Sequence, residues 1–234
     1  MGALVTYQLE ESVATITMDD GKVNVLSLQM LAELNAALDQ AEADRAVVVL
    51  TGREGMFSAG FDLAVLRAGG DDSAAMLRGG FELAARVLAF PSPVLIVCPG
   101  HAIAMGVFLL LSGDYRLGAD GPYKIIANEV AIGLTMPWAA IEICRQRLTP
   151  ANFNRAVILS ELYTPAAAVD AGLLDRAVPP ADLHDVARST AETLAALDMR
   201  AHAATKLRVR DGALQAIRAA IDVDDAAFRA LHSG

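Results

Sequence analysis

Two uninterrupted apolar runs, Val47–Leu50 and Val94–Cys98, constrain this chain more than any other feature. A strand with one wet face alternates apolar and polar side chains, because successive residues point to opposite faces. A strand that does not alternate is covered on both faces, as parallel strands between helices are. Helical periodicity separates the two runs. Ser27 is placed to cap a helix whose apolar stripe is Leu28, Leu31, Leu34, Leu38 and Ala41, and a second helical pattern over 74–89 ends at Pro91 and Pro93. Ahead of them, residues 4–9 and 12–18 alternate around Glu10-Glu11 as a hairpin would. Further strands are expected over 115–117 and 123–126. From Trp138 onward strand signals nearly vanish, and helices are expected at 138–147, 151–160, 165–171, 181–197 and 212–230, punctuated by Pro150, Pro165 and Pro179-Pro180. The pattern predicts an α/β core over residues 1–175 and a helical C-terminal region over 176–234.

A chain of 234 residues that is 54% hydrophobic and 20% charged buries a large core and is not disordered. Its net charge of −9 repels a phosphate backbone, which argues against nucleic acid as a partner. The longest apolar run, Ala102–Leu111, is far short of the roughly 20 residues of a membrane span. The first residues carry neither a basic segment nor an extended apolar one, so a cytoplasmic protein is expected. Cys98 and Cys144 lie in apolar stretches and read as buried thiols.

Several familiar chemistries fall away on inspection. No two glycines stand at i and i+2, so the dinucleotide fingerprint is absent. Gly21-Lys22 is followed by Val23, which is not a phosphate-binding loop. Phe57-Ser58-Ala59-Gly60 is close to a nucleophile elbow, but Met56 stands where the first glycine belongs. The histidines 101, 184, 202 and 232 never pair at metal-ligand spacing, so no metal site is expected. What remains is two strand-to-loop-to-helix junctions, one over 51–63 and one over 99–106. Each turns sharply beside glycine. Read from residues alone, they are either ordinary βα turns or two loops whose free N–H groups converge as an oxyanion hole.

The junctions carry a family resemblance. Phe57-Ser58-Ala59-Gly60-Phe61-Asp62-Leu63 resembles the F-x-A-G-x-D-[LI] segment of the crotonase superfamily, the enoyl-CoA hydratases and isomerases. Further matches follow in the family's order. Lys22-Val23-Asn24-Val25-Leu26 resembles its early N-A-L loop, and Pro93 through Asp114 its glycine-rich helix entry. Asn128-Glu129-Val130-Ala131-Ile132-Gly133 resembles P-E-x-x-L-G, and Thr164 through Asp175 the A-x-x-x-G-L-V segment. The resemblance covers about residues 3–210 and implies a crotonase-like spiral of ββα units.

It also implies fatty acyl-CoA thioesters as substrates, with coenzyme A part of the substrate and no other cofactor. The thioester oxygen would rest on the backbone N–H groups of Phe61 and Met105, with Gly60 and Gly106 permitting the approach. Lys22, Val23, Ala59, Asp62, Leu63, Phe108 and Trp138 complete the implied substrate and CoA site. Family hydratases use two glutamates. One is present as Glu129; the other position falls on Phe108, which carries no proton. Ala104-Met105-Gly106 stands for a triple glycine, and Met136-Pro137-Trp138 for a Pro-Gly whose amide helps hold water. A single carboxylate still suffices to move a proton between two carbons of one substrate, so 3-enoyl to 2-enoyl-CoA isomerisation is favoured. Phe108 and Trp138 are expected to dry the pocket and raise the Glu129 pKa. The alternatives are a 2-enoyl-CoA hydratase of fatty-acid β-oxidation, a catalytically degenerate acyl-CoA-binding protein, or a thioester hydrolase or decarboxylase. Glu82, Asp114 and Glu142 are the candidates for a second acid, and His101 for a ligand contact. Lys22, Arg53, Arg67 and the segment Lys206-Leu207-Arg208-Val209-Arg210 are candidate cations for CoA phosphates. The resemblance implies a homotrimer, often paired into a hexamer.

Overall fold

The computed structural model describes residues 2–232. The chain opens on an antiparallel hairpin of β1 (Val5–Glu10) and β2 (Val13–Met18). After β3 (Val25–Leu26), the Ser27 hydroxyl accepts the Met30 N–H and caps α1 (Leu28–Ala43). Four residues of the expected stripe are buried; Leu28, in the open first turn, is exposed. β4 (Val47–Thr51), β5 (Gly55–Ser58) and β6 (Gly60–Phe61) lead into α2 (Leu63–Ala68) and α3 (Gly70–Ala89). β7 (Val94–Cys98) and β8 (Gly100–Ile103) lead into α4 (Met105–Leu111). β9 (Tyr115–Ala119), β10 (Ile125–Ile126) and a short 3-10 turn at Val130–Ile132 precede α5 (Trp138–Arg145). Then come α6 (Pro150–Leu159), α7 (Pro165–Ala171), β11 (Arg176–Val178), α8 (Leu183–Ala195) and α9 (Met199–His232).

The strands fall into a six-stranded sheet of order β1-β2-β4-β7-β9-β11, parallel after the first hairpin, a parallel three-stranded sheet β10-β8-β5, and the parallel pair β3-β6. Each of β4, β7 and β9 hands the chain to a short strand of the second sheet before a helix, which is the expected spiral of ββα units. The non-alternating runs are explained directly. Val48, Leu50, Val94 and Ile96 point into the main core with α1 and α3, while Val47, Val49, Leu95 and Val97 point to the other face, which α8 covers through Ala187 and Ala191. Both faces are dry, so alternation has no purpose.

The structure departs from expectation in five places. β11 pairs with β9 as the sheet's edge, so the sheet continues past the boundary read at residue 175; residues 233 and 234 of the expected C-terminal region lie outside the described residues. The strand expected over 123–126 keeps only Ile125–Ile126. A short α2 precedes the second helix, and α9 starts at Met199 instead of 212, its first turn held by Asp198, whose carboxylate accepts the Ala201 N–H. Lys206 and Arg210, expected to face CoA, turn inward on α9. Lys206 Nζ lies 2.7 Å and Arg210 Nη1 2.8 Å from the Asp114 carboxylate, which also accepts the Val94 N–H. Burial pulls the Lys206 ammonium down to about 8 although Asp114 pulls the other way. These cations neutralise a buried acid and are not open to phosphate. Among the described residues no helix is long and apolar enough to cross a membrane.

Candidate active site

The site is built where the two glycine junctions meet. Gly60 has φ 87°, and a Cβ there would lie 3.0 Å from the Ala104 Cβ and 3.1 Å from the Met105 nitrogen. A Cβ on Gly106 would lie 2.5 Å from the Ser58 carbonyl oxygen. Only glycine fits at either position, and the absence of both side chains lets the two main chains touch. Phe61 follows Gly60 directly, and Met105 opens α4, where first-turn N–H groups have no intrahelical partner. The turn into α4 runs through Ala104 at φ 52°, ψ −124°, a conformation that an L-residue adopts only where its surroundings force it.

Sequence reading assigned no role to the two residues that brace these loops. Asn24, fully buried at φ 53°, donates through Nδ2 to the carbonyls of Met18 and Phe57. The Ser58 hydroxyl donates to the Asn24 carbonyl at 2.7 Å and accepts the Gly60 N–H at 3.1 Å. Lying inside the matched segments, polar residues among apolar neighbours were the available signal, since a buried polar group persists only when it is satisfied.

Glu129 follows β10 at the entry to the 3-10 turn. Its carbonyl accepts the Leu134 N–H, and Gly133 in the left-handed region closes the turn. The residue is only 7% exposed, and its Oε2 has no hydrogen-bond partner; neither does the adjacent Asn128 Oδ1. Burial pushes the carboxyl up to about 7, against a smaller opposing contribution from its own backbone N–H. Cys144 on α5 is buried nearby, and after burial itself the Glu129 charge raises its thiol further. A buried carboxyl oxygen left without a donor costs stability, so this group is available for chemistry and is not a structural anchor.

The surrounding expectations divide. Phe108, at the second-glutamate position, is a fully buried core ring stacked on Phe81 with centroids 6.1 Å apart. Trp138 does not dry the pocket: its side chain is exposed, with the residue 58% accessible, while its main-chain N–H and that of Ala139 donate to the Asp224 carboxylate of α9 at 3.0 and 2.9 Å. The amide in the place of the water-holding one therefore already has an acceptor. Asp62 caps α2 by accepting the Ala64 N–H. Ala59 is half-buried and donates its N–H to the Val23 carbonyl. Lys22, Val23 and Leu63 are exposed, and Arg53 donates to the Lys22 carbonyl beside Asp19. Arg67 and Arg208 are exposed. His101 accepts the Lys124 N–H and meets Tyr123 edge-on. Glu82 and Glu142 pair with Arg78 and Arg145 of their own helices, and Asp114 with the buried cations, so all three second-acid candidates are engaged elsewhere.

Comparison with known proteins adds the family context. The sequence model of the enoyl-CoA hydratase/isomerase family matches residues 8–233. The mouse mitochondrial enoyl-CoA delta isomerase 1 is 30% identical over 212 residues, which is 88% of this chain and 73% of that protein. The apo structure of an Mtb enoyl-CoA isomerase superposes with a TM-score of 0.93 at 48% identity, over 97% of this chain and 99% of that one. An enoyl-CoA hydratase from Mycobacterium marinum superposes at 0.92 with 47% identity, over 96% and 99%. Relatives described as isomerase and as hydratase are thus equally similar to this chain.

Proposed function

The chain belongs to the enoyl-CoA hydratase/isomerase family, and on that premise we propose that it isomerises 3-enoyl-CoA to 2-enoyl-CoA with Glu129 as its single acid–base group. The observation that carries this reading is the buried Glu129 carboxyl, raised to about 7 and with no hydrogen-bond partner for its Oε2, together with a core phenylalanine at position 108 where a second carboxylate would be needed.

In the proposed reaction the thioester oxygen accepts the N–H groups of Phe61 and Met105. Glu129 takes a proton from C2, the electron pair moves into the enolate, and the C3–C4 double bond shifts to C2–C3 as Glu129 returns the proton to C4. The amides hold the negative charge that develops on oxygen, an effect large in a site without water. A base near pH 7 is matched to this task. Hydration needs a second group to orient water, and the features that argue against one are Phe108 and the Asp224 carboxylate already on the Trp138 N–H. Lys22 and Arg53 are the proposed cations for CoA phosphate. Val23, Ala59, Gly60, Asp62, Leu63 and Gly106 line the proposed site. Trimeric or hexameric assembly through the C-terminal helices belongs to the same proposal on the resemblance alone.

Separate incubations with 3-enoyl-CoA and 2-enoyl-CoA test it. The first is expected to yield 2-enoyl-CoA rapidly, and the second to yield no 3-hydroxyacyl-CoA at a comparable rate. Rapid hydration of the second substrate sinks the reading, and acyl-CoA binding with neither reaction favours a degenerate binder.

A further inference from the structure

Gly79 and Gly80 sit side by side in the middle of α3, where glycine is the poorest residue for a helix after proline. Their surroundings differ. A Cβ on Gly79 would meet one atom, the Leu31 Cδ1, at an ordinary 3.5 Å. A Cβ on Gly80 would lie 2.4 Å from both the Cε1 and Cζ of Phe61 and 3.6 Å from the Met105 Cγ. The tip of the Phe61 ring therefore occupies the space that a side chain at 80 would fill, and the same bay touches Met105. The half-buried Phe61 ring also meets Phe81 in an edge-to-face pair, centroids 6.0 Å apart, and Phe81 in turn stacks on Phe108.

We propose that Gly80 is a positioning residue: its missing side chain receives the Phe61 ring and so holds the Phe61 N–H at the thioester oxygen. β6 is only two residues long, and its pairing with β3 is equally short. The ring in its bay is what ties this strand to the rigid α3. A methyl group at 80 must displace the ring by about 1 Å to reach ordinary contact distance. Phe81 packs against the ring, and we take part of that displacement to pass through the ring to the main chain carrying the amide. Misplacement on this scale costs roughly 10²-fold in rate. The inference rests on the proposed role of the Phe61 amide.

The test is the carbonyl stretch of bound hexanoyl-CoA isotopically labelled at the thioester carbon, read by difference infrared spectroscopy together with turnover of 3-enoyl-CoA. The wild type is expected to lower the stretch relative to water. Gly80→Ala is expected to lose most of that shift and roughly 10² in kcat, with hexanoyl-CoA affinity retained. Gly79→Ala, with the same gain in helix propensity, is expected to match the wild type in both readouts. Phe61→Leu empties the bay and is expected to lose the shift, and Phe61→Leu with Gly80→Ala to regain it, a coupling that survives as evidence if Gly80→Ala alone does not fold. A wild-type stretch in Gly80→Ala, an equal loss in Gly79→Ala, or failure of the double variant to recover overturns the inference. A wild type that shifts the stretch without isomerising rejects the isomerase reading and leaves Gly80 standing, whereas a wild type with no shift removes the amide site itself.

Discussion

Glu129→Gln is expected to abolish isomerisation and, above pH 7, to make the protein more stable. The loss of rate follows from removing the only proposed acid–base group, whose contribution is roughly 10²–10⁴-fold. The gain in stability follows from burial. The carboxyl is raised from 4.5 in the unfolded chain to about 7 in the fold, so the folded state binds its proton more tightly than the unfolded state does. Below pH 4.5 both states are protonated and there is no penalty. Between 4.5 and about 7 the unfolded chain ionises first and stability falls. Above that range the full cost of the buried charge, about 3 kcal/mol, is present. Glutamine never ionises, so the advantage of the variant grows over this window and then levels off. For the wild type, kcat/KM is expected to climb about tenfold per pH unit below 7 and to plateau above it, because the base must be ionised. Thermal melts of both proteins at several pH values, beside initial rates, check all of this. A variant that keeps its rate, or a stability difference that ignores pH, removes Glu129 from the role.

Asp114→Asn is expected to be the most destabilising single change of charge. Its carboxylate faces Lys206 and Arg210 in a buried cluster whose side chains are 14%, 3% and 10% exposed, and it also accepts the Val94 N–H at the start of β7. Removing one member leaves two cations buried without their acid, a loss of about 3–5 kcal/mol. In a chain of this size that lowers Tm by roughly 10 °C. Asp185→Asn, which breaks the exposed pair with Arg188, is the control and is expected to leave Tm nearly unchanged. If Asp114→Asn melts like the wild type but binds acyl-CoA less well, the cluster serves the ligand and not the fold.

The architecture was readable where a physical requirement left a pattern in many residues at once. The sheet between two helical layers shows in Val47–Leu50 and Val94–Cys98, because both faces must be apolar. β3, β6 and β10 have two residues each and leave no periodicity to detect. The polarity of Lys206 and Arg210 suggested solvent or phosphate, yet their i, i+4 spacing sets them on one helical face toward Asp114, whose distance along the chain hides the pairing. The acceptor of the Trp138 main-chain N–H is Asp224, 86 residues away, and no local rule supplies that contact. Glu129 stood out only through the order of its neighbouring motifs; its burial and its missing donor are tertiary facts. Gly80 left no trace beyond an unfavourable pair of glycines in a helix, since the ring it receives comes from another strand.

The central claim is that one buried carboxylate carries one proton from C2 to C4. The direct measurement is isotope transfer: 3-enoyl-CoA deuterated at C2 is converted in ordinary water, and the 2-enoyl-CoA formed is analysed at C4 before equilibrium is reached. With Glu129 only 7% exposed, the base is shielded from solvent exchange, and a measurable share of the deuterium is expected at C4. Product formed at the full rate with every deuteron lost to water and none at C4 would contradict a single shielded base.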